Sequence, residues 1–201
     1  RLASDLVSFY VNDTVILEKC LMDGSIDLFL GVNASHNPAF HTMPIISDKI
    51  QLIISEHLFQ QHFGSKMLSE FYSGVDLTAF SGVPFSLYYE TGAMNVIIRQ
   101  HLSDRGISLK KTPYHISDCD THILLCSSGL CAALIPKMLS LRVHEHNAKC
   151  SPGQRIHIFP VKSFHYPLRV ELIWHKNITQ PFYVKVFCEL IDEAANQLMK
   201  K

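Results

Sequence analysis

The chain has 201 residues, enough for one domain or two small lobes, with 47% apolar and a low 18% charged content. Eighteen basic residues balance eighteen acidic ones, so the formal net charge is zero and the chain offers no basic footprint for nucleic acid. No apolar run reaches the length of a membrane span, and no signal peptide opens the chain; Arg1 falls inside what reads as an element, so the chain reads as a fragment or a processed product.

Leu6–Val11 is a β-rich run, and Asn12-Asp13-Thr14 offers caps for a helix. Ile16, Leu17, Cys20 and Leu21 then fall at helical spacing, and Asp23-Gly24 stops the helix because glycine accepts the left-handed conformation of a C-cap. Ile26–Leu30 reads as a short buried strand closed by Gly31, followed by a polar loop over 32–41. Lys49–Ile54 is a strand, and His57–Phe63 and Lys66–Tyr72 are short and helical or irregular. Residues 74–82 carry turn residues and read as a linker into the strand Val83–Tyr89.

Thr91 is placed to cap a helix with Met94, Ile97, Ile98 and Leu102 on its apolar face, ended by Arg105-Gly106. Lys110–Ile116 alternates as a strand. Ser117 with Asp120 three residues on forms a variant capping box for a helix that ends at Ser128-Gly129. Cys131–Pro136 is a buried strand of small and aliphatic residues. Arg155–Phe159 and Leu168–Trp174 are late strands, and Gln180-Pro181 opens a final helix with Phe182, Val186, Leu190 and Ala194 inward. Strands alternating with helices imply an α/β chain with parallel sheets.

Six cysteines lie scattered with no CxxC or zinc spacing, which reads as buried reduced thiols in the cytoplasm, with a regulatory thiol as the alternative. His144-Glu145-His146 could bring two imidazoles to a metal if it were a strand, but no third ligand is nearby, and a solvated polar loop is the preferred reading; the same holds for His36 and His41. No P-loop, GxGxxG or GxSxG motif occurs, and Ser127-Ser128-Gly129 ends a helix where a nucleophile elbow needs a strand-to-helix turn, so the chain reads as non-enzymatic, with no metal or cofactor expected.

Five fragments occur in fixed order: ILEKCLMDGSIDLFLG, PIISDKIQLIISEHL, VPFSLYYETGAMNVIIRQHL, HISDCDTHILLCSSGLCAALIP and LRVELIWHKNITQPFYVKVFCELI. That order resembles the effector-binding domain of LysR-type transcriptional regulators over nearly the whole chain. The resemblance implies a type II periplasmic-binding-protein-like α/β fold of two Rossmann-like lobes with a ligand cleft at their hinge. It divides the chain into a first lobe, 1–82 with 166–201, lacking its first strand and helix, and a second lobe, 83–165. It further implies a homodimer or homotetramer, a small-molecule effector, no membrane, and DNA binding only through an N-terminal winged helix-turn-helix absent from this chain. By the same resemblance the effector-binding candidates are Asn33 and Ala34, then Tyr89, Glu90 and Thr91, then Ser117, Asp118 and Cys119. Thr91 and Ser117 are equally good as plain helix caps, and Asp118 and Asp120 as partners of a helix dipole; facing a cleft, the two aspartates would favour an effector carrying an amine. Where the family often has a second glycine, Cys131 stands here, which leaves the sharp turn to Gly129. The alternatives are a type II solute-binding protein of a transport system, which shares the fold, and a small α/β enzyme using the same cleft.

Overall fold

The computed structural model describes residues 8–64, 68–90, 92–177 and 182–199. The chain forms two compact units, one running up to Ser47 and resuming at Arg169, the other spanning Asp48–Leu168.

In the first unit, helix α1 (Thr14–Met22) leads to strand β1 (Leu28–Val32), then to β2 (Phe40–Asp48), whose last residue enters the second unit. Leu17 and Leu21 are the buried pair of the predicted stripe, and they pack with Phe29, Phe40 and Ile173. Gly24 at φ 76° ends the turn after α1 as its sequence position predicts. Asp13 sits at the N-cap without a side-chain bond; Thr14 instead accepts at Oγ1 from the Val32 amide (3.1 Å), which ties the start of α1 to the end of β1. The expected strand at Leu6–Val11 is a correction for its described part. Residues 8–11 form no strand and are exposed, because β-propensity without a partner edge does not hold a strand.

The second unit opens with β3 (Ile50–Ser55) and runs through α2 (Glu56–Phe63), α3 (Leu68–Phe71), β4 (Pro84–Leu87), α4 (Ala93–Asp104), β5 (Lys111–His115), α5 (Cys119–Ser127), β6 (Ala132–Pro136), α6 (Ser140–Asn147) and β7 (Ile156–Pro160). Strand β8 (Leu168–His175) returns the chain to the first unit, followed by α7 (Phe182–Met199). The sheets are ordered β1-β8-β2 and β5-β4-β6-β3-β7. Strand β4 pairs in parallel with β5 and β6, whereas β3 runs antiparallel to β6 and β7, and β1 to β8. The five-stranded sheet is therefore mixed where parallel sheets were expected, since antiparallel neighbours such as β3 with β6 and β7 need no crossover connection.

Two further expectations change. Residues 48–82, read with the first lobe, lie in the second unit, because β3 is paired on both sides by β6 and β7. Residues 74–82, read as a linker, contribute to the core: Val75 bridges to Val161, and Leu77 and Phe80 are buried in a 3-10 turn capped by Asp76, whose carboxylate accepts from the Thr78 amide (2.9 Å). Phe80 joins Phe63 (ring centroids 4.7 Å) and Phe71 (5.6 Å) in an aromatic layer that continues through Phe59 to Phe159. A second cluster joins Ile53, Ala133 and Ile135 of the sheet to Ile123 and Cys126 of α5 and Val143 of α6.

Candidate functional site

Strands β4 and β5 are parallel neighbours with Leu87 opposite His115, and the Ile116 amide donates to the Leu87 carbonyl (2.9 Å). The segments that follow them therefore leave the sheet at the same end. This brings Tyr89 and Glu90 beside Ser117, Asp118 and Cys119, between the last turn of each strand and the N-termini of α4 and α5. Such carboxyl ends of parallel strands are where open α/β sheets hold ligands. Thr91 lies outside the described residues; Gly92 is the N-cap of α4.

Each side chain of this cluster has a defined environment. Tyr89 is 55% exposed, and its carbonyl accepts from Gly92 (3.0 Å). Glu90 is ion-paired with Arg99 one helix face along (2.9 Å). Buried Asn95 completes that network: with its amide oriented to suit its neighbours, it donates to the Tyr88 carbonyl (3.3 Å) and accepts from Arg99 Nε (2.9 Å). Ser117, expected to cap α5, is exposed, and the N-cap is Asp118 instead. The Asp118 carboxylate accepts from the Asp120 amide (3.3 Å) and from the amide (2.8 Å) and hydroxyl (2.6 Å) of Thr121. The Thr121 bonds hold its carboxyl below the ordinary value. Asp120 faces Arg142 of α6 with both carboxylate oxygens (2.7 Å). The two aspartates are thus engaged within the protein, which weakens the argument for an amine-bearing effector.

Burial pushes the Cys119 thiol up to about 11, with Asp120 adding to the shift. A thiol so placed is protonated and unreactive near neutrality. Beneath it lies a polar layer that sequence reasoning missed. Ser86 of β4 and His122 of α5, both buried, are hydrogen-bonded through Oγ and Nδ1, and the Tyr88 ring lies 4.5 Å from the imidazole. Burial raises the Tyr88 phenol far above its usual range and lowers His122 to about 4. The available signal was a polar residue at an inward position of each element: Ser86 within VPFSLYY and His122 one turn into the helix.

Asn33 and Ala34 belong to the first unit. Asn33 adopts φ 47° and exchanges two bonds with Arg169 of β8, its amide donating to the Arg169 carbonyl (2.9 Å) and its Oδ1 accepting from the Arg169 amide (2.8 Å). Ala34 packs on the first-unit core, and Ser35 donates from both amide and hydroxyl to Glu18 Oε1 (2.9 Å each). That loop is fixed by its own contacts.

The His144-Glu145-His146 segment is helical, within α6, where the structure departs from a polar loop. Residues two apart on a helix diverge by about 200°, so the two imidazoles share no ligand position. Among the described residues no group of three or more histidine, cysteine or acidic side chains converges as a metal site. Ser127 and Ser128 both donate to the Leu124 carbonyl (2.9 Å each), closing the end of α5. Among the described residues no helix is long and apolar enough to cross a membrane.

Compared with known proteins, residues 7–196 match the LysR substrate binding domain. No curated protein sequence matches. Among solved structures, the effector binding domain of QuiR in complex with shikimate is similar with a TM-score of 0.72 and 15% identity, over 94% of this chain and 81% of that one. The Synechocystis PCC6803 CcmR regulatory domain in complex with 2-PG gives 0.72 and 10% identity, over 94% and 83%. CbnR, a LysR family transcriptional regulator, gives 0.62 and 16% identity, over 92% of this chain and 57% of that one. At these identities the structural likeness establishes the fold alone.

Proposed function

Because the chain belongs to the LysR substrate-binding domain family, the effector-sensing part of LysR-type regulators, we propose that it binds a small-molecule effector through Tyr89, Glu90, Thr91, Ser117, Asp118 and Cys119 in the second unit. The observation that carries this is the common exit of the segments after β4 and β5, which gathers Tyr89, Ser117 and the N-terminus of α5 at one end of a sheet. Of these groups, exposed Tyr89 and Ser117 are the direct contacts, while Asp118 and Glu90 shape the walls through their bonds to Thr121 and Arg99. The family membership favours a regulator over a transport-system binding protein. The reading is non-catalytic: the one serine–histidine pair of this region, Ser86 with His122, is shielded from any substrate. In the whole protein the domain acts as a homodimer or homotetramer and passes effector binding to an N-terminal DNA-binding domain.

The test is a thermal-shift and calorimetric screen of this chain against aromatic acids, sugar acids, amino acids, shikimate and 2-PG. A compound that binds should lose at least about tenfold in affinity, roughly the loss of one good contact, on Tyr89→Ala or Ser117→Ala. Equal affinity of both variants for every compound that binds the unmodified chain would overturn the site assignment.

A further inference from the structure

A pocket of about 320 Å³ lies in the second unit at the β7 edge of the five-stranded sheet, the opposite edge from β5. Its walls are Tyr72, His144 of α6, Arg155 and His157, with Ile156 and Ile158 as the apolar part, and none of its lining residues is acidic. Asn147 of α6 fixes the frame, donating to the Ile156 carbonyl and accepting from the Ile156 amide (2.8 Å each). Among the described residues, no ion pair or hydrogen bond engages the Arg155 guanidinium. A permanent positive charge on the wall of a small cavity suits an anionic ligand.

The other polar wall is a chain of three side chains. The Tyr72 hydroxyl is bonded to His157 Nδ1 (2.9 Å), His157 Nε2 to Glu56 Oε2, and Gln60 donates to Glu56 Oε1 (2.6 Å). The titratable or charged groups facing His157 are thus Glu56 on α2, Tyr72 after α3, and His144 and Arg155 across the cavity, while the rings of Phe59 and Phe159 pack against it. The Gln60 bond, with that of His157, holds the Glu56 carboxyl below its ordinary value, and burial with the Glu56 charge raises the Tyr72 phenol. Glu56 is therefore an ionised acceptor and Tyr72 a neutral hydroxyl.

The direction of the bonds follows. A carboxylate only accepts, so the proton of a neutral His157 sits on Nε2, and the bare Nδ1 accepts from Tyr72. The phenol's one proton is then used on the imidazole, and its oxygen has only lone pairs left for a ligand. An anion held by Arg155 would be repelled by them. A second proton on His157 reverses the arrangement: Nδ1–H donates to the phenol oxygen, the phenol proton turns to the anion, and Glu56 balances the imidazolium.

We propose that the pocket between α6 and β7 is a second ligand site, for a small oxyanion such as a phosphate or carboxylate group, contacted by Arg155 and the Tyr72 hydroxyl, with one proton taken up from solvent by His157 for each anion bound. It shares no residue with the effector segments and stands apart from the reading of them.

The experiment is a titration of the chain with inorganic phosphate and, separately, with propanoate, followed by nitrogen-15 NMR of the imidazoles at pH 7.5. Saturable binding should convert His157 from one pyrrole-type nitrogen, at Nε2, to two. Binding of phosphate alone identifies a phosphoryl ligand, and of propanoate alone a carboxylate whose tail lies on Ile156 and Ile158; either outcome supports the site. Arg155→Met and Tyr72→Phe, both at exposed positions, should each weaken binding by about tenfold or more, the loss of one charge-assisted hydrogen bond. Tyr72→Phe should also leave His157 singly protonated in the complex, whereas Ser117→Ala should change nothing. Three results overturn the proposal: no saturable shift at His157 with either anion at millimolar concentration, unchanged affinity in Arg155→Met, or a singly protonated His157 in the complex of the unmodified chain.

Discussion

At the first turn of α5, Asp118 commits its carboxylate to two backbone amides and the Thr121 hydroxyl, the bonding of an N-cap with a local threonine partner. A cap and a ligand contact make different demands on the side chain. Asp118→Asn keeps the accepting oxygen and should hold near-native stability, whereas Asp118→Ala should lose about 1 kcal/mol in urea unfolding at pH 7. The pH dependence has a definite sign. The Thr121 bonds depress the folded carboxyl below its ordinary 3.8, so its contribution is complete above that value and fades as pH falls through the lower folded one. The gap between Asp118→Ala and the unmodified chain should therefore narrow below about pH 4. A gap that stays constant into acid would show that the carboxylate charge has no part in the cap.

Among the elements, the helices and strands set by apolar periodicity were legible: Leu17 with Leu21, Ile97 with Ile98 and Leu102, and the wholly buried β6 all lie where spacing puts them. What periodicity could not supply was pairing. An extended run such as β3 reads the same whether its neighbours are parallel or antiparallel, so the mixed sheet and the placement of 48–82 were out of reach. Local turn chemistry misled at 74–82, where Gly74, Asp76 and Ser81 looked like a linker while Leu77 and Phe80 were filling the core. The cap moved by one residue from Ser117 to Asp118 because both are good caps and only the helix start decides between them. The candidate site was legible as two segments, and its buried Ser86–His122 layer was not, since a polar residue in an apolar run gives no partner. The turn left to one glycine where Cys131 replaces a second is a point on which sequence and structure agree, with Gly129 at φ 73°. Its missing Cβ would stand 3.3 Å from His57 Cδ2, whereas a Cβ on Gly24, also left-handed, would meet nothing within 4 Å. Gly129→Ala should thus cost more than Gly24→Ala, which should lose only the left-handed penalty of about 1–2 kcal/mol. Equal losses in denaturant melts would mean that the His57 side chain yields freely.

For the molecule as a whole, eighteen charges of each sign leave twelve histidines to set the response to mild acid. A histidine contributes to the pH dependence of stability only where its proton affinity differs between the folded and the unfolded chain. His122 and His101 differ, because burial lowers both, and both lie in the second unit. Between the folded value of about 4 for His122 and the ordinary 6.5, the unfolded chain binds the proton and the folded one does not. Stability therefore rises with pH across that window, is complete above it and falls as pH drops through it. At about 1.4 kcal/mol per tenfold difference in proton affinity, the full loss from His122 is about 2–4 kcal/mol. Amide exchange followed from pH 7 to pH 4.5 should show the second unit losing protection across β3, β4 and β6 before β1 and β8 of the first. His122→Phe should flatten that loss while leaving the steeper carboxylate-driven fall below about pH 4 in place. Protection that declines equally in both units, or a slope unchanged in His122→Phe, would mean that the imidazole is charged inside the folded chain.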